Sequence, residues 1–149
     1  MSERRQYCTL RVGDLFLGID VGRIQEVLRD TSFTPVPLSD SSIRGLINLR
    51  GQIVTAIDLR RRLGLGDAED RACTSTMVLG TAEEPLALVV DSVGDVVEVD
   101  GESFEPPPDT LKGEARRMID GAHKLERSLL LILNLETVMT LASGGETAE

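Results

Sequence analysis

Aromatic residues are scarce in this chain: three phenylalanines, one tyrosine and no tryptophan make up 3% of 149 residues. The core must therefore be aliphatic, built from Leu, Val and Ile. Lysine is almost missing as well; with only Lys112 and Lys124, no Gly-Lys-Ser/Thr phosphate loop can be assembled. Two cysteines, Cys8 and Cys73, make no disulfide framework, and no Cys–His pair has metal-ligand spacing. Cys8 alternates with Leu10 and Val12 as a small buried hydrophobe would, so a reduced, cytoplasmic chain is expected. Even an apolar run as long as Leu129-Leu130-Leu131-Ile132-Leu133 is far short of the roughly 20 residues of a membrane helix. No signal peptide is read either, because Met1-Ser2-Glu3-Arg4-Arg5 leads into a polar, alternating segment.

What is present points to one domain, or to two small subdomains held tightly together. A chain of this length buries roughly 68–70% of its unfolded surface, enough for a core without metal or disulfides. The net charge of −9 argues against a general nucleic-acid binder, which needs a basic face. The acidity is uneven. Between Ile43 and Leu63 stand five arginines (44, 50, 60, 61 and 62) and one acid, Asp58, forming either a local contact surface or a solvated arginine face.

Strand signals dominate the pass along the chain. Residues 7–12 alternate, Gly13-Asp14 turns, and residues 15–20 return as a hairpin partner. Val21, Ile24, Val27 and Leu28 fall at helical spacing, which predicts a short helical turn. Thr34-Pro35-Val36-Pro37 is an extended connector, since proline fixes its own φ and restricts the residue before it. Two apolar segments then flank Arg50-Gly51. Asp58 reads as the N-cap of a short helix over 59–63 closed by Gly64, and 66–71 as a polar loop.

The second half repeats this plan. Leu15-Phe16-Leu17-Gly18-Ile19-Asp20 recurs as Leu86-Ala87-Leu88-Val89-Val90-Asp91, and Ile24-Gln25-Glu26-Val27 as Val96-Val97-Glu98-Val99. Residues 45–63 align without gaps on 121–139, so that Leu49 meets Leu125, Ile53 meets Leu129 and Asp58 meets Asn134. Glu105-Pro106-Pro107-Pro108 is the counterpart of the first proline connector. The expectation is two similar units of about five short strands sharing an aliphatic seam, since neither alone, at roughly 60–70 residues, buries much core. Residues 107–119 read as loop or broken helix.

No catalytic set can be gathered. His123, the single histidine, falls where the first copy has Ile47, and such a residue is a surface or packed residue more often than a catalyst. Gly64-Leu65-Gly66 lacks the third glycine of a dinucleotide fingerprint and follows a helix, not a strand. Asp20 and Asp91 hold equivalent places in the repeat, which points to a structural role after each strand. No cofactor is implied, and no acid, base and nucleophile converge. Binding remains, and the two copies differ most at Asn48-Leu49-Arg50-Gly51 against Lys124-Leu125-Glu126-Arg127. A glycine that brings backbone close to a partner and an always-charged, forked guanidinium suit a contact point; a tight hairpin with an incidental arginine is the alternative.

These residues resemble a known family. Gly18-Ile19-Asp20-Val21, Ile24-Gln25-Glu26-Val27, Thr34-Pro35-Val36-Pro37, the run from Ile43 to Val54 containing Arg-Gly-Leu-Ile-Asn-Leu-Arg-Gly, and Ile57-Asp58-Leu59-Arg60 are similar to the CheW family of bacterial chemotaxis coupling proteins, as is Val89-Val90-Asp91-Ser92-Val93-Gly94-Asp95-Val96 in the second half. The resemblance implies an all-β fold of two intertwined SH3-like five-stranded barrels sharing a hydrophobic core, with short helices. It spans residues 6–141 as one domain, with subdomains at about 20–72 and 73–132, N- and C-terminal elements packing across them, and a flexible tail at 143–149. It implies a non-catalytic scaffold between the cytoplasmic tips of transmembrane chemoreceptors and the regulatory domain of the histidine kinase CheA, cytoplasmic and recruited to membrane-associated receptor arrays, with no direct membrane insertion. Matching positions assign receptor binding to Val21, Ile24, Gly45, Arg50, Ala87 and Val93, and kinase binding to Glu26, Leu28, Val36 and Ile53. A second, ring-forming contact is implied near Thr110, where some members carry an aromatic. Outside the family, the alternative is a small-molecule-binding module using the inter-barrel seam as its pocket.

Overall fold

Alternation of apolar and polar residues translates into strands throughout. The computed structural model describes residues 3–29, 31–37, 42–65, 74–80 and 85–144, the last five by backbone alone. Cys73, the loop expected at 66–71 and the tail from 145 onward lie outside the described residues. The strands are β1 (Arg4–Val12), β2 (Leu15–Asp20), β3 (Ile24–Arg29), β4 (Ile43–Leu49), β5 (Gln52–Asp58), β6 (Ser75–Leu79), β7 (Leu86–Val90), β8 (Ser92–Asp100), β9 (Phe104–Glu105), β10 (Ile119–Lys124) and β11 (Leu129–Leu133). Three helices, α1 (Leu59–Arg62), α2 (Gly113–Arg117) and α3 (Leu135–Gly144), are all short. The stretch at 107–119 thus holds a loop and a five-residue helix, and the tail expected from 143 begins inside α3.

The strands form two mixed sheets, in the order β3-β6-β7-β5-β4 and β8-β1-β2-β11-β10-β9. Each has one parallel pair, β5 with β7 and β11 with β2. Both sheets curl until their ends meet. In the first, the connector after β3 returns to β4 through paired hydrogen bonds between Thr34 and Leu46, both 2.8 Å. In the second, β8 and β9 are one strand bent at a 3₁₀ turn, Gly101–Ser103, and β9 closes on β10 at Ala122 and His123. These are two small barrels closed at equivalent places, and the sixth strand of the second sheet is the two-residue β9.

The gapless repeat is a structural one. Each copy carries a β-bulge at its start, between Ile43 and Gly45 and between Ile119 and Gly121. Both glycines are there because closure needs them. A Cβ on Gly45 would lie 2.6 Å from the Thr34 carbonyl oxygen, and one on Gly121 would strike the Glu105 carbonyl oxygen and the Phe104 ring. Each copy also ends in an Asx-capped helix. Asp58 Oδ1 accepts from the backbone N–H groups of Arg60 at 3.1 Å and Arg61 at 3.4 Å, and Asn134 Oδ1 from Thr137 N at 2.9 Å. Such a cap contributes about 1 kcal/mol.

Two expectations are corrected. The sheets do not divide the chain at 72/73: β6 and β7 complete the first barrel, while β1 and β2 take their places in the second. The repeat is therefore circularly permuted, because each β-hairpin pairs with the copy whose parallel strand it can reach. The helical turn expected at 21–28 is only Val21–Arg23, followed by β3. A bulge between Ile24 and Glu26 puts Ile24 opposite Leu79 and Val27 opposite Met77. Leu79 and Met77 share one face of β6, so a bulged strand shows apolar residues three apart, which imitates a helix.

Buried side chains fall into three clusters. Ile47, Val54, Ala56, Ala87 and Val89 fill the first barrel, and Tyr7, Val99, Leu130 and Ile132 the second. The largest cluster lies between them, with Leu10, Leu17, Ile19, Ile57, Met77, Leu79, Leu88, Leu131 and Leu133 among its members. The expected aliphatic seam is this cluster.

Candidate functional site

Arg50 and Gly51 are the two residues between β4 and β5, with Leu49 opposite Gln52. Their φ values are +55° and +88°, so both central residues are left-handed, as a primed two-residue hairpin requires. Among the described residues Arg50 is the non-glycine residue with positive φ. Asn48 steadies the turn, its Oδ1 accepting from Gly51 N at 2.9 Å. An arginine in this conformation costs on the order of 1 kcal/mol relative to glycine, and such strain concentrates at functional positions.

The Arg50 guanidinium reaches across the barrel to Glu26 on β3. Nη1 donates to Oε2 at 3.4 Å and Nη2 to Oε1, a two-pronged ion pair. Because β3 and β4 are the end strands of the first sheet, the pair spans the closure of the barrel. The hydrogen bond from Arg50 holds the Glu26 carboxyl below its ordinary pKa. Arg50 stays mostly exposed and Glu26 less so.

Of the other arginines of the basic segment, Arg44, Arg60 and Arg62 are turned inward and Arg61 is exposed. Arg44 lies over the Phe33 ring at 5.0 Å and 3.7 Å from the Asp58 carboxylate. Arg60 pairs with Asp91 at 2.9 Å, Arg61 lies 3.8 Å from Asp58, and the buried Arg62 donates to the Val138 carbonyl oxygen at 3.3 Å. The segment is not a free basic surface, because each of its five arginines has a carboxylate within 4 Å. Asp91 also accepts from Gly13 N at 2.8 Å, and Asp20 caps the turn at Gly22 N, so both aspartates hold chain junctions.

Of the positions implied for receptor contact, four reach the surface. Val21 is exposed on the turn that links the two barrels, and Arg50 on the hairpin. Ile24 from one barrel and Val93 from the other flank the seam, each partly buried against it. Gly45 and Ala87 do not reach the surface. Gly45 is buried beneath the Thr34 backbone, and Ala87 is fully buried inside the first barrel. Gly45 leaves room for the closing segment to cross, and Ala87 packs within the barrel. Of the kinase positions, Ile53 is the most open at 59% exposed, Glu26 holds Arg50, Leu28 packs into the first barrel, and Val36 is half-buried. Two residues went unassigned: Asn48, which positions the turn, and Val27, exposed on the same strand face as Ile24. A side-chain amide three residues before a turn glycine was the available signal for Asn48.

A strained, exposed arginine locked across the closure of its own barrel, on a pair of permuted SH3-like barrels, can be compared with known proteins. Residues 6–143 match the family model described as the CheW-like domain. The chain belongs to the CheW-like family. The chemotaxis protein CheW of Treponema pallidum is 25% identical over 143 residues, covering 93% of this chain and 84% of that protein. Protein FrzA of Myxococcus xanthus is 34% identical over 113 residues, covering 76% of this chain and 69% of its own length. The crystal structure of the scaffolding protein TtCheW from Thermoanaerobacter tengcongensis superposes with a TM-score of 0.79 at 27% identity, covering 88% of this chain and 89% of that one. The fold is thus shared with that scaffolding protein, and among the described residues no helix is long and apolar enough to cross a membrane.

Proposed function

We propose that this chain is a non-catalytic scaffold that couples transmembrane chemoreceptors to the histidine kinase CheA within receptor arrays. Membership of the CheW-like family supports this reading, as does the likeness to a solved scaffolding protein. The single observation that carries it is the Arg50–Glu26 pair, which ties the residue expected to meet the receptor to one expected to meet the kinase. A receptor carboxylate or carbonyl that engages Arg50 draws on the same guanidinium that holds Glu26. Binding on one side thereby alters the charge presented on the other.

On this reading the receptor tip, a helical hairpin, lies along the seam and meets Val21, Ile24, Arg50 and Val93. Gly45 and Ala87 act from below by keeping the wall thin. Apolar knobs supply affinity and the charged hairpin sets orientation. The kinase regulatory domain meets the first barrel at Ile53, Glu26, Leu28 and Val36. Individual contacts are weak, and recruitment to the membrane comes from the multivalency of the array.

Ile24→Asp tests the groove. Burying a carboxylate there costs several kcal/mol by desolvation. Affinity for a receptor cytoplasmic fragment, measured by calorimetry, should fall strongly, while binding to the kinase regulatory domain and the circular dichroism spectrum persist. Unchanged receptor affinity would remove Ile24 from the interface. A small-molecule binder, by contrast, would show ligand-dependent melting and bind neither fragment.

A further inference from the structure

His123 occupies in the second barrel the place that Ile47 holds in the first, and it is 1% exposed. Its Nδ1 lies 2.7 Å from Ser103 Oγ. That hydroxyl donates to the Asp100 carbonyl oxygen at 2.8 Å, so its one proton is committed and Nδ1 must supply the proton between them. The neutral ring is therefore the Nδ1–H tautomer. Nε2 carries a bare lone pair, buried without a protein partner.

The surroundings are unfriendly to a second proton. From β1, Arg5 and Tyr7 join Gly101, Phe104 and His123 around a cavity of about 220 Å³. The Tyr7 and Phe104 rings stand 5.7 and 5.4 Å from the imidazole, centroid to centroid. From β9 comes Glu105, which lies 3.8 Å from Lys124, the next residue of His123's own strand. From β11 the paired residue is the apolar Leu130. Burial and, after it, the charge of Arg5 push the imidazole pKa down, with Glu105 opposing them.

We propose that His123 is a proton-operated latch on the closure of the second barrel. Neutral, it anchors the 3₁₀ turn through Ser103 and packs against Phe104, holding β9 on β10. Protonated at Nε2, it places a second cation near Arg5 where the protein offers no acceptor. The element that yields is the weakest one, a two-residue strand that can lift and admit water to the ring. The first barrel, with Ile47 at this place, has no such group and does not respond.

The direction follows from linkage. The open form takes up the proton with an ordinary pKa of about 6.5, whereas the closed form resists it to lower pH. Closure is fully stable above that value, weakens as pH falls through it, and levels off below the closed form's own pKa. One proton limits the change to about tenfold in the closing equilibrium per pH unit.

Amide hydrogen exchange on the full chain, corrected for the intrinsic pH dependence, tests this. Between pH 6.5 and 5.5, protection of the amides that join β9 to β10 should drop by up to about fivefold, while those joining Thr34 to Leu46 hold constant. His123→Ile should abolish the drop. Arg5→Gln, at an exposed position, should weaken it by letting the closed form accept the proton more readily. Side-chain nitrogen spectra at neutral pH should show the Nδ1–H tautomer. An Nε2–H tautomer, a protection ratio that ignores pH, or an equal drop in His123→Ile would overturn the proposal. Should His123→Ile fail to fold, the tautomer and Arg5→Gln decide it.

Discussion

Arg50→Asn should fold at least as well as the parent and bind its partners about thirtyfold more weakly, the loss expected on truncating a hot-spot arginine. The two halves of this expectation come from different physics. Asn-Gly is the favoured pair for a primed two-residue turn, because asparagine tolerates positive φ better than arginine does. Replacing a residue at φ +55° therefore relieves strain, and the Arg50–Glu26 pair, largely exposed on the arginine side, returns little stability when kept. Binding loses a forked donor that no short side chain reproduces. Thermal melting and calorimetry against receptor and kinase fragments check both halves. An Arg50→Asn protein that binds normally would mean that the strain at the hairpin serves no partner.

Gly45→Ala and Gly121→Ala should each destabilise the fold by about 3 kcal/mol or more, lowering the melting temperature by roughly 10 °C. Both glycines sit at bulges where the closing segment crosses, and the atoms a Cβ would meet include backbone carbonyl oxygens that cannot swing aside. Gly45 adds the strain of φ +150°. Gly113→Ala is the control: its φ is +69° but its surroundings are open, so only about 1 kcal/mol of left-handed strain should appear. Equal losses at Gly45 and Gly113 with little at Gly121, whose φ is not positive, measured by urea unfolding, would show that conformation rather than crossing accounts for the loss.

The repeat made most of the architecture legible before any coordinates. The matched caps Asp58 and Asn134, the matched bulge glycines and the matched strands reflect one local solution used twice, and local chemistry is what a sequence displays. The allotment of strands to barrels was not legible, because β1 and β6 carry no signal of which parallel strand their hairpins will join. That depends on long-range pairing. The bulge in β3 misled for a related reason: an extra residue in a strand shifts apolar spacing from two to three. The site was half legible. Arg50 stood out because the second copy lacks it, and the structure adds its strained turn and its bond to Glu26. Gly45 and Ala87 were assigned to receptor binding by resemblance, and only the structure shows that both lie beneath the surface.

A coupling scaffold must bridge two partners. Sedimentation of receptor-containing membranes with the CheA kinase, with and without the chain, tests it most directly. Kinase should move to the membrane pellet when the chain is present, stay in solution without it, and stay largely in solution with Arg50→Asn. Kinase recruitment that is the same whether or not the chain is added would contradict it.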